Sequence, residues 1–194
     1  MAEPIHWILA SASPRRQQLL AELGIAFDVV TADVDEWEAS DADPEALVSH
    51  NARLKAEKIS NAHPRSRVIG SDTTVALEGH VLNKPADLNE ARSMLGRLSG
   101  RTHEVFTAVC ILQKQPAYAV SFVERSQVTF NDLDEGLIER YFKLVNPLDK
   151  AGAYGIQEHR KIIIAGWEGS LSNVMGLPIE RLAAKLSLPL SILP

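Results

Sequence analysis

The side chains with the clearest chemical potential in this 194-residue sequence are one aspartate and several scattered cations. Asp72 stands in Val68-Ile-Gly-Ser-Asp-Thr-Thr74, an otherwise apolar strand sequence. A carboxylate beside an apolar segment must be paired, metal-bound or turned to water at a strand edge. There it could hold a divalent cation through oxygen, or take a proton from an attacking water. A turn aspartate bonding its own backbone is the alternative without chemistry. Gly70, two residues earlier, permits close backbone approach.

Arg15 and Arg16 follow Ser13-Pro14 at the start of a helix. An arginine there faces the positive end of the macrodipole, at a cost of up to ~1 kcal/mol unless an anion is present. A strand end, small residues and a helix start form an anion site from free amides and dipole, and guanidinium forks suit phosphate. Two solvated surface arginines are the competing reading. Lys55 on a helix and Lys84 in Asn83-Lys-Pro85 can each reach a cleft or remain surface lysines. Asp35, Glu36 and Glu38 could supply metal oxygens, Glu36 being the favoured one, or form a solvated acidic loop. Gln157 ends Asp149-Lys-Ala-Gly-Ala-Tyr-Gly-Ile-Gln157, whose glycines suit backbone close to a ligand. Its amide could pair with the carbonyl and N–H edge of a uracil or thymine ring, or satisfy loop backbone. His103 reads as catalytic or, like most lone strand histidines, structural. No Cys/His metal spacing, Walker motif or Ser-His-Asp order stands out.

The elements that must position these residues are legible from caps and periodicity. Trp7 to Ala10 is extended; Ser13 is an N-cap and Pro14 the first helical residue; Leu19, Leu20 and Leu23 share a face; Gly24 terminates. A second strand spans Ala26 to Val34. Asp43-Pro44 opens a helix to about Ser60 that brings Asn51, Lys55 and Lys58 together beside Leu47 and Leu54. Arg67 to Leu77 is a strand turning at Glu78-Gly79 into Val81-Leu82, and Asp87 with Glu90 caps a helix closed by Gly100. Extended segments run from Thr102 to Gln113 and from Ala117 to Phe130, and a helix from about Asp134 stops before Asn146-Pro147. A strand near Ile162 to Ala165 and a helix started by Pro178, with Ile179, Leu182 and Leu186, end the pattern. Helices mixed with hairpins predict an α/β fold with a mixed central sheet flanked by helices, not a doubly wound parallel one.

Composition sets the outer limits. At 45% hydrophobic, with no linker-like stretch, the chain reads as a single domain over 1–194. A net charge of -5 argues against a general nucleic-acid surface, and 6% aromatic residues against a single-strand binding module. Apolar runs are short, and an acid stands in Met1-Ala-Glu-Pro-Ile-His6 where a secretory signal would carry lysines. The expectation is a cytoplasmic protein with no membrane partner. Cys110, the one cysteine, lies in an apolar run and reads as a buried small hydrophobe.

Taken in order, Ser11-Ala-Ser-Pro-Arg-Arg16, Val34-Asp-Glu36, Gly70-Ser-Asp-Thr73, Lys84-Pro85, Ser99-Gly-Arg-Thr-His103 with Thr107, Asp149 through Gln157 and Asn173-Val-Met-Gly-Leu-Pro178 resemble the Maf family of nucleoside triphosphate pyrophosphatases. The resemblance spans nearly the whole chain. It implies an inosine-triphosphatase-like fold of two lobes around a cleft, and hydrolysis between the α and β phosphates. It further implies Asp72 as general base, and Glu36 and Asp72, with Asp35 a further candidate, as ligands of Mg²⁺ or Mn²⁺. A solvent-exposed carboxylic acid titrates near ~3.9 and is a weak base at neutral pH, so a cation that acidifies water is physically favourable. Ser13, Arg15, Arg16, Lys55 and Lys84 would bind the triphosphate, and Thr73 and Gln157 the base. Within the family, the branch acting on dTTP and UTP resembles this chain at Arg15, Thr73 and Gln157. The branch acting on 7-methyl-GTP differs there and in the loop from Ala151. Leu171, where an aromatic is common, and Glu158-His159, in place of a glycine-rich continuation, depart from the pattern and bear on base preference. A homodimer is a family-level expectation. The alternatives are a nucleotide-binding regulator of cell division without turnover and a pyrophosphatase of another base preference.

Overall fold

The computed structural model describes residues 5–188. Residues 1–4, on which the reading of the chain start partly rests, lie outside them. Strand β1 (Trp7–Leu9) leads into helix α1 (Pro14–Glu22), where the Ser13 side chain accepts from the Arg16 amide. Next come β2 (Phe27–Val29) and α2 (Pro44–Ala62), the latter capped by Asp43, whose carboxylate accepts from Ala46 N at 2.8 Å. Strand β3 (Arg67–Leu77) turns through Glu78 and Gly79, both at positive φ, into β4 (His80–Leu82). Helix α3 (Leu88–Leu98) is followed by the long strands β5 (Thr102–Gln113) and β6 (Tyr118–Phe130) and by α4 (Glu135–Phe142). The short α5 (Arg160–Ile163), β7 (Ile164–Glu168), α6 (Leu171–Met175) and α7 (Ile179–Lys185) complete the order. No described helix is long and apolar enough to cross a membrane.

All seven strands join one mixed sheet in the order β2-β1-β3-β5-β6-β7, with β4 also on β3. β5 pairs with β3 antiparallel from Val68 to Ala76. The opposite edge of β3 is shared: β1 pairs parallel with Arg67 to Ile69, and β4 antiparallel with Val75 to Leu77. Between them, Gly70 to Thr74 has no strand on that edge among the described residues. Asp72 is the middle residue of this gap.

The alternation of β3 sorts its residues between two faces. Val68, Gly70, Asp72 and Ala76 turn towards α2, whose buried stripe is Val48, Asn51, Ala52, Lys55, Ala56 and Ile59. Helix α2 sits so close at Gly70 that a Cβ there would stand 2.2 Å from the Ala52 carbonyl oxygen and 2.8 Å from Ala56 N. On the other face, Ile69 joins a core with α1 and α7, while Val75 and Leu77 join a second core under α3 and α4. Ser71 and Thr73 fall between the two cores, with Thr107 on β5 opposite Thr73 and Ser126 on β6 opposite Val105. Helix α6 closes this polar seam by hydrogen bonds: Asn173 Nδ2 donates to Val105 O and Ser126 Oγ, Thr107 to Asn173 O, and Ser71 to Gly176 O.

Four features differ from the sequence expectation. The second strand keeps only Phe27–Val29 of Ala26 to Val34, because the following residues leave β1 to carry Glu36 towards the sheet gap. Lys58 is exposed instead of grouping with Asn51 and Lys55, and Leu54 is half-buried. Ile162 and Ile163 belong to α5, so the last strand starts at Ile164. Helix α6 was not anticipated, as five residues are too short to show a helical period.

Candidate active site

A cleft of about 450 Å³ opens at the unpaired edge of β3, beyond the carboxyl end of β1. Open α/β sheets commonly bind ligands at such a place. Ser13, Arg15, Arg16, Glu36, Lys55, Asp72, Thr73, Lys84 and Gln157, drawn from six separate stretches of sequence, all line it.

Asp72 is the most enclosed carboxylate there. Lys55, one turn along α2 from Asn51, donates from Nζ to Asp72 Oδ1 at 2.7 Å and to Glu36 Oε2 at 2.5 Å. Asn51 Nδ2 donates to Asp72 Oδ2 at 3.2 Å. The same amide holds the Glu36 loop, since Trp37 N donates to Asn51 Oδ1 at 2.8 Å and Asn51 Nδ2 reaches Trp37 O at 3.0 Å. Sequence reasoning grouped Asn51 with Lys55 but gave it no place in the site. Its signal was a polar residue one turn before Lys55 on the inward stripe.

Arg16 is anchored, whereas Arg15 is not. Arg16 Nε donates to Gly176 O at 2.8 Å, Nη1 to Ser11 Oγ at 3.2 Å and Nη2 to Thr73 Oγ1 at 3.0 Å, leaving a donor on each terminal nitrogen. Burial pulls its pKa below the ordinary 12.5; Asp72 and then Glu36 push it back up, and Arg15 adds to the lowering. Among the described residues, half-buried Arg15 and exposed Lys84 have no ion-pair partner in the chain. Thr73 Oγ1 lies 2.9 Å from Thr107 Oγ1, and Thr107 donates to Asn173 O. The Thr73 hydroxyl therefore gives its hydrogen to Thr107 and keeps only a lone pair for a ligand. Gln157 is exposed and lines the same cleft.

His103 does not line the cleft. It is buried, its Nε2 lies 2.7 Å from the Tyr154 hydroxyl, and its ring packs edge-on against Phe130 and Tyr154. Burial lowers its pKa from 6.5 to about 4. Cys110 is a buried free thiol, raised above 9.0 by desolvation. Sequence reasoning also passed over Lys150, a buried lysine in the cleft wall.

The donor set suits a hard cation bound together with a ligand. Glu36 and Asp72 each keep lone pairs beyond those given to Lys55 and Asn51. Thr74 Oγ1, buried in the cleft lining, has no hydrogen-bond partner among the described residues. These are all oxygens. No group of three or more His, Cys, Asp or Glu among the described residues forms a cage of protein ligands alone. Mg²⁺ needs none, because it is usually held by one or two carboxylates, waters and substrate phosphates.

The architecture is that of an inosine-triphosphatase-like α/β protein. Its fold matches the structure of the Staphylococcus aureus Ham1 protein with a TM-score of 0.55 and 16% identity, over 94% of this chain and 98% of that one. A family model described as Maf-like protein matches residues 6–188, and the chain belongs to the Maf family. It is 48% identical over 173 residues to a dTTP/UTP pyrophosphatase of Akkermansia muciniphila, covering 89% of this chain and 90% of that one. To a dTTP/UTP pyrophosphatase of Myxococcus xanthus it is 47% identical over 179 residues, 92% of this chain and 90% of the other.

Proposed function

We propose that this protein hydrolyses dTTP and UTP to the nucleoside monophosphate and pyrophosphate, with Mg²⁺ or Mn²⁺ bound. The observation that carries the reading is the convergence of Arg15, Arg16, Lys55 and Lys84 on the cleft that holds Asp72. The names of the relatives above support the same reaction and the same bases.

Asp72 accepts a proton from the attacking water, whose oxygen bonds to the α-phosphorus as the bond to the bridging oxygen of pyrophosphate breaks. Lys55 and Asn51 fix the direction in which that carboxylate points. Arg15, the spare donors of Arg16 and Lys84 neutralise the triphosphate and the departing pyrophosphate, and Ser13 with the α1 amides completes the cradle. Glu36 and Asp72 would hold the divalent cation. When bound, it supplies charge neutralisation and a more acidic water.

Gln157 pairs with the ring edge of the base and Thr73 contributes its remaining lone pair. A C5-methyl changes apolar contact by only about 1–3 kcal/mol, so thymine and uracil share the pocket, whereas a mismatched ring edge strands polar groups. The reading places the activity on the cytoplasmic nucleotide pool, with a homodimer as the assembly to be checked by light scattering.

The test is pyrophosphate release from dTTP, UTP, CTP, GTP and 7-methyl-GTP with Mg²⁺, for wild type and Asp72→Asn. The expected result is fastest turnover of dTTP and UTP and a loss of roughly 10²–10⁴ in kcat for the variant. A guanine preference would remove the role given to Gln157. Tight binding without turnover by the wild type would favour a nucleotide-binding regulator.

A further inference from the structure

The segment that carries Gln157 passes over a buried lysine. Lys150 is 5% exposed. Its Nζ donates to Asn146 O at 2.9 Å and Asp149 Oδ1 at 2.7 Å, on the near side of the segment, and lies 3.3 Å from Glu158 Oε2 on the far side. The first two are hydrogen bonds and the third is an ion pair, so the buried charge is shared between carboxylates on both sides of the segment. Its alkyl chain runs beneath Gly155, where an added Cβ would stand 3.0 Å from Lys150 Cε and 3.2 Å from Cδ. Between the two anchors the backbone takes positive φ at Gly152 (67°) and Ala153 (64°), a conformation that costs free energy at a residue with a side chain and persists only when its surroundings hold it. Tyr154 is tied to His103, Gly155 N to the Tyr141 hydroxyl at 3.2 Å, and Gly152 N to Asn83 O at 3.2 Å beside Lys84.

Lys150 lines the cleft, yet it differs from Arg15 and Lys84 in that its charge is already paired with carboxylates of the chain itself. We infer that Lys150 is a positioning residue: its ammonium, bridging Asp149 and Glu158, clamps the two ends of the segment between them and so sets the position of Gln157 for base selection. The clamp rests on the pyrimidine reading for its consequence but not for its existence. Glu158 directly follows Gln157, so the far end of the segment is tied by charge next to the residue it positions.

Two measurements test this. Steady-state kinetics on UTP and GTP is compared for wild type, Lys150→Met and Glu158→Gln, and hydrogen exchange is followed at the amides of 151–157. Lys150→Met is expected to raise KM for UTP about tenfold with kcat changed less than about threefold, and to cut the UTP-over-GTP ratio of kcat/KM about tenfold. Glu158→Gln, a half-exposed site whose change leaves the fold intact, goes the same way by about threefold. Exchange at 151–157 speeds up in both. An unchanged base ratio in Glu158→Gln, or a fall confined to kcat, overturns the positioning role even if Lys150→Met fails to fold. Unchanged exchange overturns the clamp itself. Absence of pyrimidine turnover in the wild type overturns the proposed function instead, and the exchange data still decide the clamp.

Discussion

Lys55 and Asp72 face each other across the α2–β3 contact with 2.7 Å between Nζ and Oδ1, and the same nitrogen reaches Glu36. One cation thus holds together two acids whose mutual repulsion would otherwise spread the cleft. Lys55→Met removes the cation and leaves both charges. Turnover of UTP should fall at least about 100-fold, since a misplaced catalytic group loses that much. The stability loss, read by urea unfolding, should lie below the about 3–5 kcal/mol typical of a fully enclosed pair, because this one borders an open cleft.

Asn51 ties the loop to the base. It bonds both backbone groups of Trp37 and also Asp72 Oδ2. Asn51→Ala should lower kcat about tenfold or more by freeing both the Glu36 loop and one carboxylate oxygen, and reduce stability by about 1–3 kcal/mol. The kinetic effect should also appear as a higher Mg²⁺ requirement, because the loop holds Glu36. A change in stability alone would limit Asn51 to a structural part.

Chelation by EDTA should abolish pyrophosphate release, and Glu36→Gln should raise the Mg²⁺ concentration for half-maximal rate by at least about tenfold, since loss of a group that merely supports a ligand already costs that much. Asp72→Asn should stay inactive at any Mg²⁺ concentration. Full activity in EDTA would rule the cation out of the reaction.

The parts of this arrangement that were legible in sequence are those encoded locally. Ser13-Pro14 and Asp43-Pro44 announce helix starts, and the polar break at Ser71-Asp-Thr73 in an apolar strand marks the site. That break has two causes that no local pattern could show: the edge left open between β1 and β4, and a seam between two cores on the opposite face. Glu36, Lys84 and Gln157 were assigned through resemblance, because as isolated residues they look like any surface side chain. Asn51 escaped because its partners, Trp37 and Asp72, lie many residues away, and Lys150 because nothing in its local pattern shows that it is buried. His103 is the reverse case: its chemistry suggested catalysis, and packing between Phe130 and Tyr154 removed it from the cleft.

His103 gives the chain a definite pH signature. Its folded pKa of about 4 lies below the ordinary 6.5, so between these values the unfolded chain binds a proton that the folded one does not. Stability from this group is complete above about pH 6.5 and drains away as pH falls towards 4, amounting to about 3 kcal/mol at the limit. Urea unfolding from pH 7 to 4 should show this slope in the wild type. His103→Gln, which can still pair with Tyr154 but does not titrate, should flatten it by that amount.

Gly70→Ala tests whether fold and site are one structure. A Cβ at this position would meet the Ala52 carbonyl oxygen at 2.2 Å and Ala56 N at 2.8 Å, both backbone atoms that no side-chain rotation can move. Relief therefore requires α2 to lift from β3. Overpacking of this kind costs typically about 1–3 kcal/mol, and a backbone clash belongs at the upper end. The same lift draws Lys55 and Asn51 away from Asp72, which stands two residues along the strand from Gly70 and faces the same helix. The variant should lose kcat alongside stability, even at temperatures where circular dichroism shows it folded. A folded, destabilised Gly70→Ala protein with wild-type kcat would mean that the catalytic carboxylate does not depend on its distance from α2.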